Sequence, residues 1–240
     1  MKKDKEDVYG DHISHQFNDD LASLKADFLK MGGMVEQQVN DAVTALIDND
    51  GHLADEVRGK DKVVDKLELE IDEEATRIIA KRQPAARDLR LVISVIKMVA
   101  DLERVGDEAK KIAKFAISLA EEGQAPRGYV EVRHISQHVS SMLRDALDAF
   151  ARLDSELALR VMKEDKRVDE EYQAATRTLV TFMMEDARNI SRCMSVMWVL
   201  RALERVGDHA CNLAEHVIFM AKGEDVRHTP VEEAERIVGR

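Results

Sequence analysis

The hexapeptide Leu102-Glu103-Arg104-Val105-Gly106-Asp107 returns unchanged as Leu203-Glu204-Arg205-Val206-Gly207-Asp208, 101 residues further along. Ala109 and Ala113 have counterparts in Ala210 and Ala214, and upstream Asp61-Lys62-Val63-Val64-Asp65 corresponds to Asp165-Lys166-Arg167-Val168-Asp169. A repeat of about 100 residues is far longer than a solenoid unit, so the chain is read as one folding unit duplicated in tandem. Whatever the first half folds into, the second half must fold into as well.

The repeated unit is helical. With only 3 Pro and 11 Gly in 240 residues, the chain lacks the turns that a large all-β protein needs. It is rich in Ala, Leu, Glu, Lys, Arg and Met, which favour helix. Breakers fall at intervals: Asp48-Asn49-Asp50-Gly51, Gln83-Pro84, the Gly123–Gly128 cluster near the midpoint, Leu153-Asp154-Ser155, Met184-Glu185-Asp186 and Gly223. Between them, apolar residues recur at helical spacing. In the first half the stripes are Leu24–Phe28–Met31–Val35–Val39–Ala42–Leu46, Val64–Leu67–Ile71–Ala75–Ile78 and Leu102–Val105–Ala109–Ile112–Ala116–Leu119. The second half has Met142–Leu147–Phe150, Val168–Tyr172–Ala175–Leu179 and Leu203–Val206–Ala210–Leu213–Val217. Each stripe must bury against neighbours, and short connections make those neighbours antiparallel. The expected fold is all-α: six long helices as two tandem, duplicated antiparallel three-helix bundles, over residues 12–123 and 128–223, followed by a polar tail over 224–240.

A net charge of −11 disfavours direct DNA binding, which works by neutralising phosphates with a basic surface. Cys193 and Cys211 suggest neither a disulfide framework nor a Cys-rich zinc site. The basic N-terminus has no apolar segment behind it, and the longest apolar runs fall short of the roughly 20 residues of a membrane helix. A soluble, cytoplasmic protein is expected.

The chemistry-bearing residues are acidic pairs four apart. Asp61/Asp65 and Glu103/Asp107 in the first half match Asp165/Asp169 and Glu204/Asp208 in the second. Spacing of four puts both carboxylates of a pair on one helical face, where like charges repel and a bound cation would reverse the sign. All-carboxylate ligation suits divalent Mg, Mn or Ca, or iron. Roughly nine such spacings arise by chance in so acidic a chain, so a single pair is ordinarily a solvated face. Recurrence in both halves, with one member of every pair standing one position after a core residue (Val64/Asp65, Leu102/Glu103, Val168/Asp169, Leu203/Glu204), is what selects these eight. Gly106 and Gly207 point to close helix approach or room for a ligand, since a mid-helix glycine costs about 1 kcal/mol relative to alanine. Arg104 and Arg205 are expected to pair with acids. His209 is expected to be a partly exposed helix residue or an accessory ligand. Glu131-Val132-Arg133-His134 is one Glu-x-x-His where a di-iron bundle needs two. No phosphate-cradling glycine loop or nucleophile elbow occurs, so the residues make no case for an enzyme.

The twin LERVGD segments, with Leu203-Glu204-Arg205-Val206-Gly207-Asp208-His209-Ala210 running on through Asn212-Leu213-Ala214-Glu215 to Gly223, resemble the PhoU family of phosphate-signalling regulators. His15 and Phe17, Lys30-Met31-Gly32 with Val35-Glu36, and Gln83-Pro84-Ala85-Ala86-Arg87-Asp88-Leu89-Arg90 carry the resemblance through the first half. The second half departs from the first where Glu185-Asp186-Ala187-Arg188 stands in place of a proline, and residues 224–240 are unmatched. The resemblance implies a non-enzymatic, usually homodimeric cytoplasmic accessory to the phosphate-specific ABC transporter, through its ATPase subunit. It implies coupling to a phosphate-sensing histidine kinase, with the starvation response kept off when phosphate is plentiful, and membrane association only through partners. Some members hold metal clusters on acid-x-x-x-Asp motifs, which fall here on Asp61, Asp65, Glu103, Asp107, Asp165, Asp169, Glu204 and Asp208. The alternative is a stand-alone carboxylate-rich metal-binding helical protein without a signalling role.

Overall fold

The computed structural model describes the backbone of residues 6–123 and 125–239, with side chains from His15 onward. Long helices dominate it: α1 (Glu6–Asp48), α2 (Gly51–Arg82), α3 (Ala86–Glu122), α4 (Tyr129–Arg152), α5 (Ser155–Glu185) and α6 (Ile190–Lys222). A 3-10 turn, Ala187–Asn189, leads into α6, and a short helix α7 (Val231–Val238) follows it.

Each helix stops where the breakers stand. Asp50 caps α2 by accepting from the Leu53 N–H at 3.0 Å, and Asp154 caps α5 by accepting from Glu156 and Leu157 at 3.0 and 2.9 Å. Pro84 bars continuation of α2, whose last carbonyls are closed by Gln83 in the left-handed region at φ 47°. Gly223, at φ 80°, ends α6 by donating to the Phe219 carbonyl. Gly128 starts α4 at φ 105°, where a Cβ would stand 2.7 Å from Val196 Cγ1, so backbone conformation and packing both require glycine there.

Within the first half α1, α2 and α3 all touch one another, and within the second α4, α5 and α6 do the same. The halves join along two seams, α3 against α6 and α1 against α4. The apolar stripes are buried from Leu24 to Leu46 on α1 and from Leu203 to Val217 on α6, and the buried side chains form one contiguous core. Phe28 of α1 meets Phe150 of α4 with ring centroids 4.5 Å apart and planes tilted by 58°. This edge-inclined contact ties the halves at their centre.

The seventh helix is a difference from the expectation of a polar tail. Val226, Ala234, Ile237 and Val238 are buried, and Lys163 of α5 pairs with Glu235. The segment has too few apolar residues to read as a core helix alone. Pro230 opens it, and its three apolar positions fall on one side once wound, giving α5 a cover.

Two carboxylate flanks and the seam between the halves

The recurring acids meet in fours. In the first half, α2 and α3 lie side by side, and Glu103 feels the charges of Asp107, Asp65 and Asp61 together with Glu68. In the second half, α5 and α6 bring Asp165, Asp169, Glu204 and Asp208 within mutual electrostatic reach. Gly106 and Gly207 sit between the paired acids of α3 and α6. A Cβ at Gly106 would lie 3.4 Å from Val64 Cγ1, and one at Gly207 would lie 3.5 Å from Val168 Cγ1. The glycines therefore mark close helix approach that draws each quartet together.

The two flanks differ in countercharge. In the first, Lys110 bonds Asp61 and faces Asp107, and these carboxylates raise the affinity of the lysine for its proton. The residue at the corresponding position in the second half is Cys211, which supplies no cation. Burial, followed by the charges of Asp208 and Asp169, pushes Asp165 up to about 6. Burial, then Asp208, pushes Glu204 up to about 7, although Arg201 bonds its Oε1. Asp208 is raised as well, by burial and then by Asp169. The Glu204 Oε2 atom is buried and has no hydrogen-bond partner. An orphaned carboxyl oxygen among acids that Arg201 and Arg205 offset only in part suits a hard cation in the manner of oxygen-ligated divalent metals or iron. Among the described residues, no three His, Cys, Asp or Glu side chains stand gathered as a ready-made metal site.

Other acids join that were not singled out from spacing. Glu68 and Asp72 extend the first flank, both raised chiefly by burial, and Asp72 Oδ1 is buried without a partner. Glu68 and Asp72 are themselves four apart on α2, but Tyr172 and Thr176 stand at the equivalent places of the second half, so recurrence did not select them. In the second half His138 lies between Glu164 and Glu171, at 2.9 and 3.4 Å. His134, from the lone Glu-x-x-His, faces Glu171 rather than its own Glu131.

The seam between the halves carries a second polar cluster. His209 is buried and contributes to the seam: its Nδ1 meets Asp101 Oδ1 at 2.9 Å, and Asn212 Nδ2 donates to the same oxygen at 3.0 Å. This corrects the expectation of a partly exposed histidine, because α3 covers the face that α6 alone would leave to solvent. With Asp101 accepting, Nδ1 carries the proton and Nε2 is left buried without a partner. Arg205 crosses to Glu108 at 3.1 Å, and Lys111 donates to the same carboxylate at 2.8 Å. Glu108 is almost wholly buried and is balanced by these two cations. Arg205 thus pairs with an acid, as expected, although that acid belongs to the other half. On the second seam, Arg144 of α4 donates to Glu36 of α1 at 3.0 and 2.6 Å, and Ser140 donates to Asn40 at 2.9 Å.

No helix is long and apolar enough to cross a membrane among the described residues. The PhoU domain model matches the chain twice, over residues 28–116 and 132–217. The chain is 61% identical over 217 residues to the phosphate-specific transport system accessory protein PhoU homolog of Pseudomonas putida, covering 90% of this chain and 85% of that one. It is 44% identical over 227 residues to the phosphate-specific transport system accessory protein PhoU of Escherichia coli, covering 95% of this chain and 94% of that one. The crystal structure of PhoU from Pseudomonas aeruginosa superposes with a TM-score of 0.85 at 58% identity, covering 87% of this chain and all of that one. The phosphate transport system regulatory protein PhoU from Streptococcus pneumoniae superposes with a TM-score of 0.81 at 28% identity, covering 88% of this chain and 99% of that one. With both repeats matched, and with relatives this similar along nearly the full chain, the protein belongs to the PhoU family.

Proposed function

We propose that this chain is a non-catalytic accessory protein of a phosphate-specific transport system, and that it keeps the phosphate-starvation response off when phosphate is abundant. In this reading it works in the cytoplasm as an adaptor between the transporter's ATPase subunit and a phosphate-sensing histidine kinase. The observation that carries the proposal is the 61% identity across 90% of the chain to a protein named as a phosphate-specific transport accessory. The physical character of the surface supports it. Two rigid helical flanks present acids in recurring pairs on a chain of net charge −11, which favours docking to basic partner surfaces.

The flanks act as charged docking faces, alone or bridged by a divalent or iron cation. The second flank is the better host, because Glu204 Oε2 lacks a partner and no lysine stands in place of Cys211. The flank side chains must rotate inward to ligate an ion. A homodimer belongs to the same reading, supported by Met194 and Trp198, which are four apart on α6 and exposed at 37% and 53%.

The deciding experiment is alkaline phosphatase output in a strain deleted for the gene and grown with abundant phosphate. High output returned to low by the intact gene supports the repressor reading. Low output with normal induction on starvation removes it and transfers weight to a metal-binding module with no signalling role. In the complemented strain, reversing the charges of Glu103, Asp107, Glu204 and Asp208 is expected to raise output. Their purified variant should bind the partner more weakly and with less salt dependence. Unchanged binding and salt dependence would remove the flanks from docking.

A further inference from the structure

A cleft of about 150 Å³ opens between α3, the last turns of α6 and the segment after Gly223. Its walls are apolar where Leu89, Ile93 and Phe219 line it, and its polar groups are Arg90, Lys97, His216 and an Arg227–Asp225 pair. Arg227 is committed to Asp225, donating through Nε to Oδ1 at 2.9 Å. That ion pair is internally neutral and holds the Asp225 carboxyl well below the usual range.

The two remaining cations form no salt bridge of their own, although the charge of Lys97 also reaches Asp225. Neither Arg90 nor Lys97 makes an ion pair or hydrogen bond with a carboxylate among the described residues. Arg90 Nε is buried with no hydrogen-bond partner at all. Its guanidinium packs against the backbone at Gly223, where an added Cβ would stand 3.5 Å from Arg90 Cζ. His216 is only 6% exposed and lines the same cleft, and no hydrogen bond to its ring is seen. A guanidinium nitrogen buried without a hydrogen-bond partner is costly, because its desolvation is not repaid. In a chain of net charge −11, a cleft lined by half-buried Arg90, exposed Lys97 and Arg227 against the one carboxylate of Asp225, beside a buried imidazole, marks a place prepared for an anion.

We propose that this cleft is a subsite for a phosphoryl dianion, held by the Arg90 fork and the Lys97 ammonium with His216 as a further polar contact. Charge selects the class. The cations Arg90, Lys97 and Arg227 outnumber the one lining carboxylate, Asp225, by two, which matches a dianion, whereas a monoanionic carboxylate would leave charge over. Arg presents donors in a fork that suits tetrahedral oxyanions, and Lys supplies a point charge. The same chemistry is offered by free inorganic phosphate and by the headgroup of phosphatidic acid. The inference stands on this cleft alone and does not rest on the docking role of the acidic flanks.

The test is calorimetric titration of the full-length protein with sodium phosphate at pH 7.5, against sodium chloride at matched ionic strength. In parallel, the protein is sedimented with vesicles of phosphatidylcholine with and without phosphatidic acid. The variants are Arg90→Met, Arg90→Lys and Lys97→Gln, with Lys114→Gln, an exposed lysine elsewhere on α3, as the control. Saturable binding of one dianion per chain is expected, weakened about tenfold or more by Arg90→Met and by Lys97→Gln and unchanged by Lys114→Gln. Heat from phosphate assigns the free ion, and retention only on phosphatidic acid vesicles assigns the headgroup. If Arg90→Met loses its helical circular dichroism, Arg90→Lys and Lys97→Gln carry the test. The proposal is overturned by phosphate heats equal to chloride with no vesicle retention. Binding that Lys97→Gln and the folded Arg90 variants leave within twofold of the native value overturns it too.

Discussion

At the scale of single residues, one substitution between the repeats sets the electrostatics of the whole second flank. Lys110 neutralises Asp61, and Cys211 in its place gives Asp165 no such partner, leaving Arg201 on Glu204 as the flank's own cation contact. Burial then dominates, and Glu204 is held up to about 7. A carboxyl raised in the fold contributes stability that is whole below the unfolded value near 4 and is lost as pH rises through 7. Glu204→Gln keeps the neutral form at every pH. It is therefore expected to match the native protein near pH 5 and to exceed it by about 1–2 kcal/mol at pH 8, read by urea denaturation at both pH values. A gain that is equal at pH 5 would separate the effect from titration. His216 runs the other way. Burial, and then the charges of Arg227 and Lys97 against that of Asp101, brings it down to about 4. Its contribution is whole above the unfolded value near 6.5 and fades as pH falls through 4. The acidic pairs were legible at this scale because spacing alone puts them on one face. Asp101 and the unpaired Arg90 were not, since nothing in their neighbours along the chain says which charges will be absent across a seam.

At the scale of elements, two adjacent glycines on α1 make a paired experiment. A Cβ on Gly32 would overlap Leu147 Cδ2 of α4, whereas Gly33 faces open space. Gly33→Ala is expected to stabilise by about 0.5–1 kcal/mol, the helix propensity gain alone. Gly32→Ala should lose that gain to overpacking at the α1–α4 seam and destabilise by about 1–2 kcal/mol, with both read as shifts in the urea midpoint. The helix ends were legible because Asp50, Pro84, Asp154 and Gly223 act on their own backbone. Helix α7 was missed for the opposite reason: an eight-residue helix is formed by what it covers. Ile237→Ala is accordingly expected to cost about 2 kcal/mol while leaving the far-ultraviolet circular dichroism of the long helices unchanged.

At the scale of the molecule, the halves share one core and two polar seams, so they are expected to unfold together. A single coincident urea transition by circular dichroism and Trp198 fluorescence would show this, and two resolved transitions would contradict it. Asp101 is the group on which the α3–α6 seam converges, since it accepts from both His209 and Asn212. Asp101→Ala leaves buried His209 and half-buried Asn212 without their shared acceptor, with an expected cost of about 2–3 kcal/mol. Duplication explains why each half builds a flank, and the seam ties helices of the two halves together. Arg205 stands beside Glu204 on α6 yet pairs with Glu108 on α3.

The amino-acid sequence by itself determined the helical class, the duplication, the positions of the helix ends and the sharing of a face by each acidic pair. All of these depend on interactions within about four residues or on identity between the repeats, and both can be read along the chain. Only the tertiary structure decided that the pairs meet in fours, that Lys110 serves one quartet where the other has Cys211, that His209 is buried by α3, and that Arg90 packs against Gly223 with its Nε left without a partner. Those are outcomes of packing between residues as much as 130 positions apart. The local sequence carries no record of which helix will cover a given face, or of the charge that the covering helix brings.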